Sequence, residues 1–203
     1  MVTWWQGAHD IFVAERVTQQ KLASAIATAR VSLRDGAREL FEICAAHAIP
    51  VLVFSAGAGD VVRGVLEREL GALAPTVHFV ANWMRWGDAD ASGDRLLLGF
   101  TEPIIHVFNK CEVHLRSQPE VHAMLARRGN AILVGDSTGD ASMGDGLPHD
   151  AVLKVGLLNA AAPTAEERAA YTAAFDAVLI GDAPLDAVVA VLKEAVGPTP
   201  TPA

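Results

Sequence analysis

The chain has 203 residues, 51% hydrophobic and 20% charged, with a formal net charge of -8. That length and composition fit one large domain, or a core with a small accessory domain, and exclude a disordered chain. The acidic balance argues against broad nucleic-acid or anionic-membrane binding, which needs a basic surface, but leaves room for a small anionic substrate met by one lysine and one metal ion.

The first residues, "MVTWWQGAHD", lack a basic stretch followed by an apolar one, so no signal peptide is expected. No apolar run approaches membrane-spanning length. The two cysteines, Cys44 and Cys111, form no CxxC pair and are expected to be reduced thiols in a cytoplasmic protein. Residues 4–30 hold no strand-like run, and "QQKLASAIATAR" (19–30) is rich in helix formers. Residues 1–33 are therefore expected to form a helical accessory layer.

From residue 34 the pattern alternates. "DGARELFEICAAH" (35–47) repeats apolar residues at helical spacing and ends before Pro50. "VLVF" (51–54) reads as a buried strand, and 60–71 as a helix with Asp60 at its N-cap and Gly71 at its end. "VHFVA" (77–81) and "RLLLGF" (95–100) read as strands of a hairpin with "GDADASGD" at its tip, with Trp83 and Trp86 packed on it. "AILV" (131–134), "AVLKVG" (151–156) and "AVLI" (177–180) complete the strands, and 183–195 is amphipathic. Strand and helix in alternation predict a Rossmann-like α/β core, a three-layer parallel sheet with helices on both sides, over residues 34–195. The proline-rich 196–203 is expected to be a loose tail.

Ligands of open parallel sheets bind beyond the carboxyl ends of strands. After "VLVF" comes "SAGAGD", where Ser55 offers a hydroxyl and Gly57 and Gly59 suit a tight turn exposing N–H groups to an anion. A turn that binds nothing is the bland alternative, and a dinucleotide fingerprint fails because Val62 holds the third glycine position. After "AILV" comes "GDSTGD". Asp136 at that strand end is a Mg²⁺ ligand candidate, and Asp140 could orient a metal-bound water or a lysine; Asp136 as a helix cap is the alternative. Asp182, in "IGDAP", has no second acid at that spacing and is assigned a capping role. Lys110, in "IIHVFNKCEVHLR", follows an apolar run and would gain strongly beside carboxylates and a phosphate. "DADASG" (88–93) imitates half a calcium loop, but Gly99 stands where the closing acid belongs. The seven histidines show no metal-ligand spacing; His114 and His122 are too far apart on a helix to share one ion.

Serine after one strand, then lysine, then "GDSTGD" after a later strand resembles motifs II, III and IV of the haloacid dehalogenase superfamily. "IPVLVFSAGAGDV", "IIHVFNK", "ILVGDSTGD", "KVGLLN" and the opening "MVTWW…H" are similar to the cytosolic 5′-nucleotidase III family, the pyrimidine 5′-nucleotidases. The resemblance implies that Ser55, with the N–H of Ala56 and neighbouring Gly57, binds a substrate phosphate. It implies that Lys110 neutralises phosphate and attacking carboxylate, that Asp136 ligates Mg²⁺, and that Asp140 positions the metal's surroundings. It puts Trp4 in the base pocket, and Ala8 where the family has a base-facing serine.

The implied reaction hydrolyses a nucleoside 5′-monophosphate, through an aspartyl-phosphate, to nucleoside and phosphate. The family's nucleophile motif, D-x-D-x-[TV], follows a first central strand ahead of the cap, and neither is found here; Asp88 and Asp90 of "DADAS" follow Ser55 and no buried strand end. The expectation is therefore a partial cap, a core without that strand, and a chain inactive as given though enzymatic in full length. The other expectation, of a different class, is a catalytically dead relative that binds a nucleotide or a protein partner.

Overall fold

A computed structural model describes residues 2–106, 119–145 and 148–197. In chain order its elements are helix α1 (Val2–Ala14), α2 (Gln19–Thr28), α3 (Ala37–Ala46), strand β1 (Val51–Ala58), α4 (Gly59–Leu70), β2 (Val77–Asn82), β3 (Met84–Ala89) and β4 (Arg95–Phe100). Then come α5 (Pro119–Leu125), β5 (Asn130–Gly135), a 3-10 turn (Thr138–Ser142), β6 (Ala151–Leu158), α6 (Ala165–Ala174), β7 (Ala177–Ile180) and α7 (Asp186–Val196). They divide into two compact units. The first takes the chain through Ser32, Leu52–Leu73 and Phe79–His106; the second takes Leu33–Val51, Ala74–His78 and the described residues from 119 onward.

In the first unit β1 pairs with β2, and β3 pairs antiparallel with β4. Met84, Leu97 and Phe100 form its buried core with Val13 of α1, Leu22 of α2, and Ala58 and Val61 at the β1–α4 junction. The hairpin differs from the sequence expectation. Its first strand is β3, "MRWGDA", and "VHFVA" belongs to β2 beside β1. β3 escapes sequence reading because it is short, half exposed and carries Arg85, Gly87 and Asp88, which strands disfavour. The turn spans residues 90–94, so Gly87, Asp88 and Ala89 of the expected tip belong to β3. Asp90 Oδ1 accepts from Ser92 N–H at 2.8 Å, Ser92 Oγ–H at 2.6 Å and Asp94 N–H at 3.1 Å. A side chain so bonded to its own turn stabilises the turn.

Asp60 corrects a second expectation. Helix α4 starts at Gly59 with Ala58 in the N-cap position and no side-chain cap. The Asp60 carboxylate instead accepts from Met84 N–H at 2.8 Å and Trp86 Nε1–H at 3.2 Å, tying α4 to the hairpin. Gly71 does end the helix, at φ 83°, a conformation open to glycine.

The second unit contains the parallel sheet, in the order β5-β6-β7. Register runs from Asn130 opposite Ala151 to Gly135 opposite Gly156, and from Val155 opposite Ala177 to Leu158 opposite Ile180. Alternation sends Ile132 and Val134 of β5, and Leu153, Val155 and Leu157 of β6, to one face, where Ala37 of α3 and Val188 of α7 pack. Gly156 faces the other way. A Cβ there would stand 2.5 Å from the ring of Phe175, just past α6, so that glycine lets α6 close on the second face. Helices on both faces of a parallel sheet are the layering expected from the sequence. Thr164 and Glu167 start α6 with a reciprocal capping box, the Thr164 side chain accepting from Glu167 N–H at 3.1 Å. Cys44 is buried in this unit, and burial pushes its thiol up to about 11.

Candidate functional site

The expected site residues fall in two places that the structure describes and one that it does not. Ser55, Ala56 and Gly57 lie in the first unit, Asp136 and Asp140 in the second, and Lys110 falls outside the described residues, as do Cys111 and His114.

The serine end is built by β1, which runs on to Ala58, so Ser55 and Gly57 belong to the strand and not to a turn after it. Neither Gly57 nor Gly59 takes a positive φ, which corrects the tight-turn reading of both. Gly57 N–H donates to Ser55 Oγ at 3.0 Å, so that amide is engaged by the hydroxyl oxygen, which keeps its own proton to donate. Gly59 serves close approach: a Cβ there would lie 2.8 Å from the Trp83 ring. Behind Ala56 sits Asn82, which sequence reading missed. It is fully buried at the end of β2, donates from Nδ2 to Ala56 O at 2.7 Å and Ile105 O at 2.9 Å, and accepts at Oδ1 from Ile105 N–H at 2.8 Å. An amide closing an apolar run, in "VHFVAN", was the signal for it. Trp4 is 65% exposed on α1, with its ring edge-on to Trp5 at 4.9 Å.

The acidic end is built by β5 and the 3-10 turn. The cap of that turn is Ser137, not Asp136, so the capping alternative for Asp136 fails. Asp140 is 1% exposed, and its Oδ2 accepts from the N–H groups of Asp136 and Ser137 at 3.1 Å each. A carboxylate can stay buried when it collects donors this way. Gly135 makes room for it, since a Cβ at Gly135 would overlap the Asp140 side chain. Asp136 is exposed, and its carboxylate has no hydrogen bond or ion pair among the described residues. Its carbonyl oxygen accepts from Tyr171 Oη–H on α6 at 2.5 Å. Burial, then the charges of Asp136, Asp140 and Glu167, push the Tyr171 hydroxyl above its usual range.

Among the described residues no three histidine, cysteine or acidic side chains cluster well enough to hold a metal by themselves. Mg²⁺ asks for less, one or two carboxylates with waters and a phosphate completing its shell, and the free carboxylate of Asp136 fits one such arm. Asp182 is not a cap: Leu185 occupies that position of α7. Asp182 reaches Arg34 at 3.8 Å with a side chain 98% exposed, a weak pair. Arg34 is held mainly by carbonyls, donating to Ala183 O at 2.6 Å and Gly181 O at 3.0 Å.

A parallel sheet with helices on both faces, with Asp136 and the buried Asp140 at the end of β5, belongs to the α/β class that binds ligands at its carboxyl rim. The profile of the family described as Pyrimidine 5′-nucleotidase (UMPH-1) matches residues 1–196, and the chain belongs to that family. It is 37% identical over 194 residues to the 7-methylguanosine phosphate-specific 5′-nucleotidase of Gallus gallus, covering 95% of this chain and 64% of that one. The protein of the same name from Homo sapiens is 33% identical over 198 residues, covering 95% and 62%. The chain thus spans less than two thirds of the length of these relatives. A crystal structure of cytosolic 5′-nucleotidase IIIB bound to cytidine superimposes with a TM-score of 0.70 at 34% identity, covering 86% of this chain and 56% of that one. The mixed α/β architecture is consistent with the haloacid dehalogenase-like Rossmann fold expected from the sequence. No helix among the described residues is long and apolar enough to cross a membrane.

Proposed function

We propose that this chain carries the phosphate- and metal-binding part of a cytoplasmic, Mg²⁺-dependent 5′-nucleotidase that hydrolyses nucleoside 5′-monophosphates, pyrimidine ones among them, to nucleoside and phosphate. The observation that carries this reading is the family match over residues 1–196, which includes an Asp136 whose carboxylate has no partner among the described residues. Ser55 and the N–H of Ala56 bind the phosphate oxygens, Lys110 offsets their charge, Asp136 ligates Mg²⁺, and Asp140 fixes the loop that presents Asp136. Bound there, Mg²⁺ would neutralise charge on the phosphoryl oxygens. Trp4 supplies a flat apolar surface for a base. The names of the relatives point to 7-methylguanosine phosphate, and the family description and the bound cytidine point to pyrimidines.

A second reading is a nucleotide-binding module without turnover, as the 203 residues taken by themselves hold no D-x-D-x-[TV]. Incubation with CMP, UMP or 7-methylguanosine monophosphate and Mg²⁺ separates the two. The chain as given is expected to release phosphate no faster than a blank. The same residues preceded by a strand and D-x-D-x-[TV] are expected to turn over. In that form Asp136→Asn should lower the rate about 100-fold or more at fixed Mg²⁺, and Asp182→Asn no more than about twofold. Equal losses would sink the assignment of Asp136, and no turnover in the longer form would leave the binding module.

A further inference from the structure

Tyr171 has no part in the reading above, yet it bonds the residue on which that reading turns. It lies on α6, 35 residues beyond Asp136 in the chain, and its hydroxyl donates to the Asp136 carbonyl. On the other side of the same residue, Asp140 Oδ2 accepts from the Asp136 N–H and the next one along. Both backbone polar groups of Asp136 are thus bonded to side chains, from two separate elements. The bond from Tyr171 is exposed, so water would satisfy that carbonyl as well. The tyrosine bond is therefore not needed to satisfy the peptide. Together the three bonds fix the backbone from which the Asp136 carboxylate springs.

Magnesium holds strictly to octahedral geometry, so a ligand whose origin is already fixed loses less freedom on binding it. Ring packing alone does not explain the tyrosine. Its contact with Phe175, 5.7 Å between ring centres, is one a phenylalanine would also make.

We propose that Tyr171 is a positioning residue: with Asp140 it clamps the Asp136 peptide from both sides, so that the Asp136 carboxylate meets a divalent cation in a fixed orientation. This rests on Asp136 being the metal ligand, as proposed above.

The test uses the ¹⁵N-labelled full chain titrated with Mn²⁺ alone, read by paramagnetic broadening of the amides of residues 135–140. The wild-type chain is expected to show local broadening, with an affinity that Asp136→Asn lowers at least tenfold. Tyr171→Phe keeps the ring and removes only the hydroxyl; it should weaken Mn²⁺ about three- to tenfold without changing the urea midpoint. In the absence of metal the same variant should speed hydrogen exchange at the amides of Asp136 and Ser137 about tenfold and leave those of β6 unchanged. Unchanged Mn²⁺ affinity in Tyr171→Phe, with Asp136→Asn still disruptive, would overturn the clamp alone. Binding indifferent to Asp136→Asn would overturn the ligand assignment and the clamp with it.

Discussion

A titratable ring buried without a hydrogen-bond partner is tolerated far better neutral than charged. His9, on α1, is 8% exposed, and its Nε2 is buried with no partner among the described residues. Its ring lies flat on Phe100, 3.7 Å between centres and 11° between planes. Burial pulls its pKa below the ordinary histidine value, more strongly than Glu102 and Asp10 push it up. The folded pKa lies below the unfolded one, so the unfolded state binds the proton first. The contribution of His9 to stability is complete above about pH 6.5 and is lost as pH falls through the folded pKa. Urea midpoints are therefore expected to fall between pH 7.5 and pH 5.5. His9→Phe keeps the stacked ring and should flatten this part of the profile. A variant with the slope of the wild type would show that another group titrates there.

Between elements, Asp60 adds hydrogen bonds to the apolar join between α4 and the hairpin. Asp60 takes a backbone N–H of β3 and the Trp86 indole N–H, and no cap is involved. Asp60→Ala leaves both donors without their acceptor, at a cost of about 1–3 kcal/mol in urea unfolding. Asp60→Asn keeps one acceptor oxygen and should lose less. Equal losses would mean that the carboxylate acts through charge at the start of α4 and not through these bonds. The same residue shows what the sequence could and could not tell. Short apolar runs announced β1, β5, β6 and β7 by composition, and β6 is covered on both faces, by α3 and α7 on one and Phe175 on the other. A polar residue beside a helix start reads as a cap, since its partners 24 and 26 residues away leave no local trace. That Asp136 and Asp140 meet at the end of β5 was legible because "GDSTGD" is contiguous. Tyr171 and Asn82 were not, because each acts on a backbone group far from it in the chain. The strand extending through Ser55 and Gly57 was missed because glycine and serine are read as turn formers, and pairing overrode them.

Over the whole molecule, the two compact units are not two consecutive stretches of chain. The backbone passes from one to the other after Ser32, Val51, Leu73, His78 and His106. β1 begins in the second unit and continues in the first, and β2 straddles the division between His78 and Phe79. A unit assembled from separated segments closes several loops at once, and unfolding it releases the strand ends that the other unit holds. One cooperative transition is therefore expected. The chain carries its own probes. Trp4, Trp5, Trp83 and Trp86, all the tryptophans it has, lie in the first unit. Cys44 is buried in the core of the second with Ile43, Val189 and Leu192, and its raised pKa leaves little thiolate at pH 8. In a Cys111→Ser chain, Cys44 is the sole thiol, and its labelling by a disulfide reagent at pH 8 requires the second unit to open. Tryptophan fluorescence and thiol labelling should follow the same urea curve, with midpoints within about 0.5 M of each other. Fluorescence changing well before the thiol becomes reactive would mean that the first unit opens while the parallel sheet stays folded. Ser55 and Asp136 would then belong to separately folding parts of the chain.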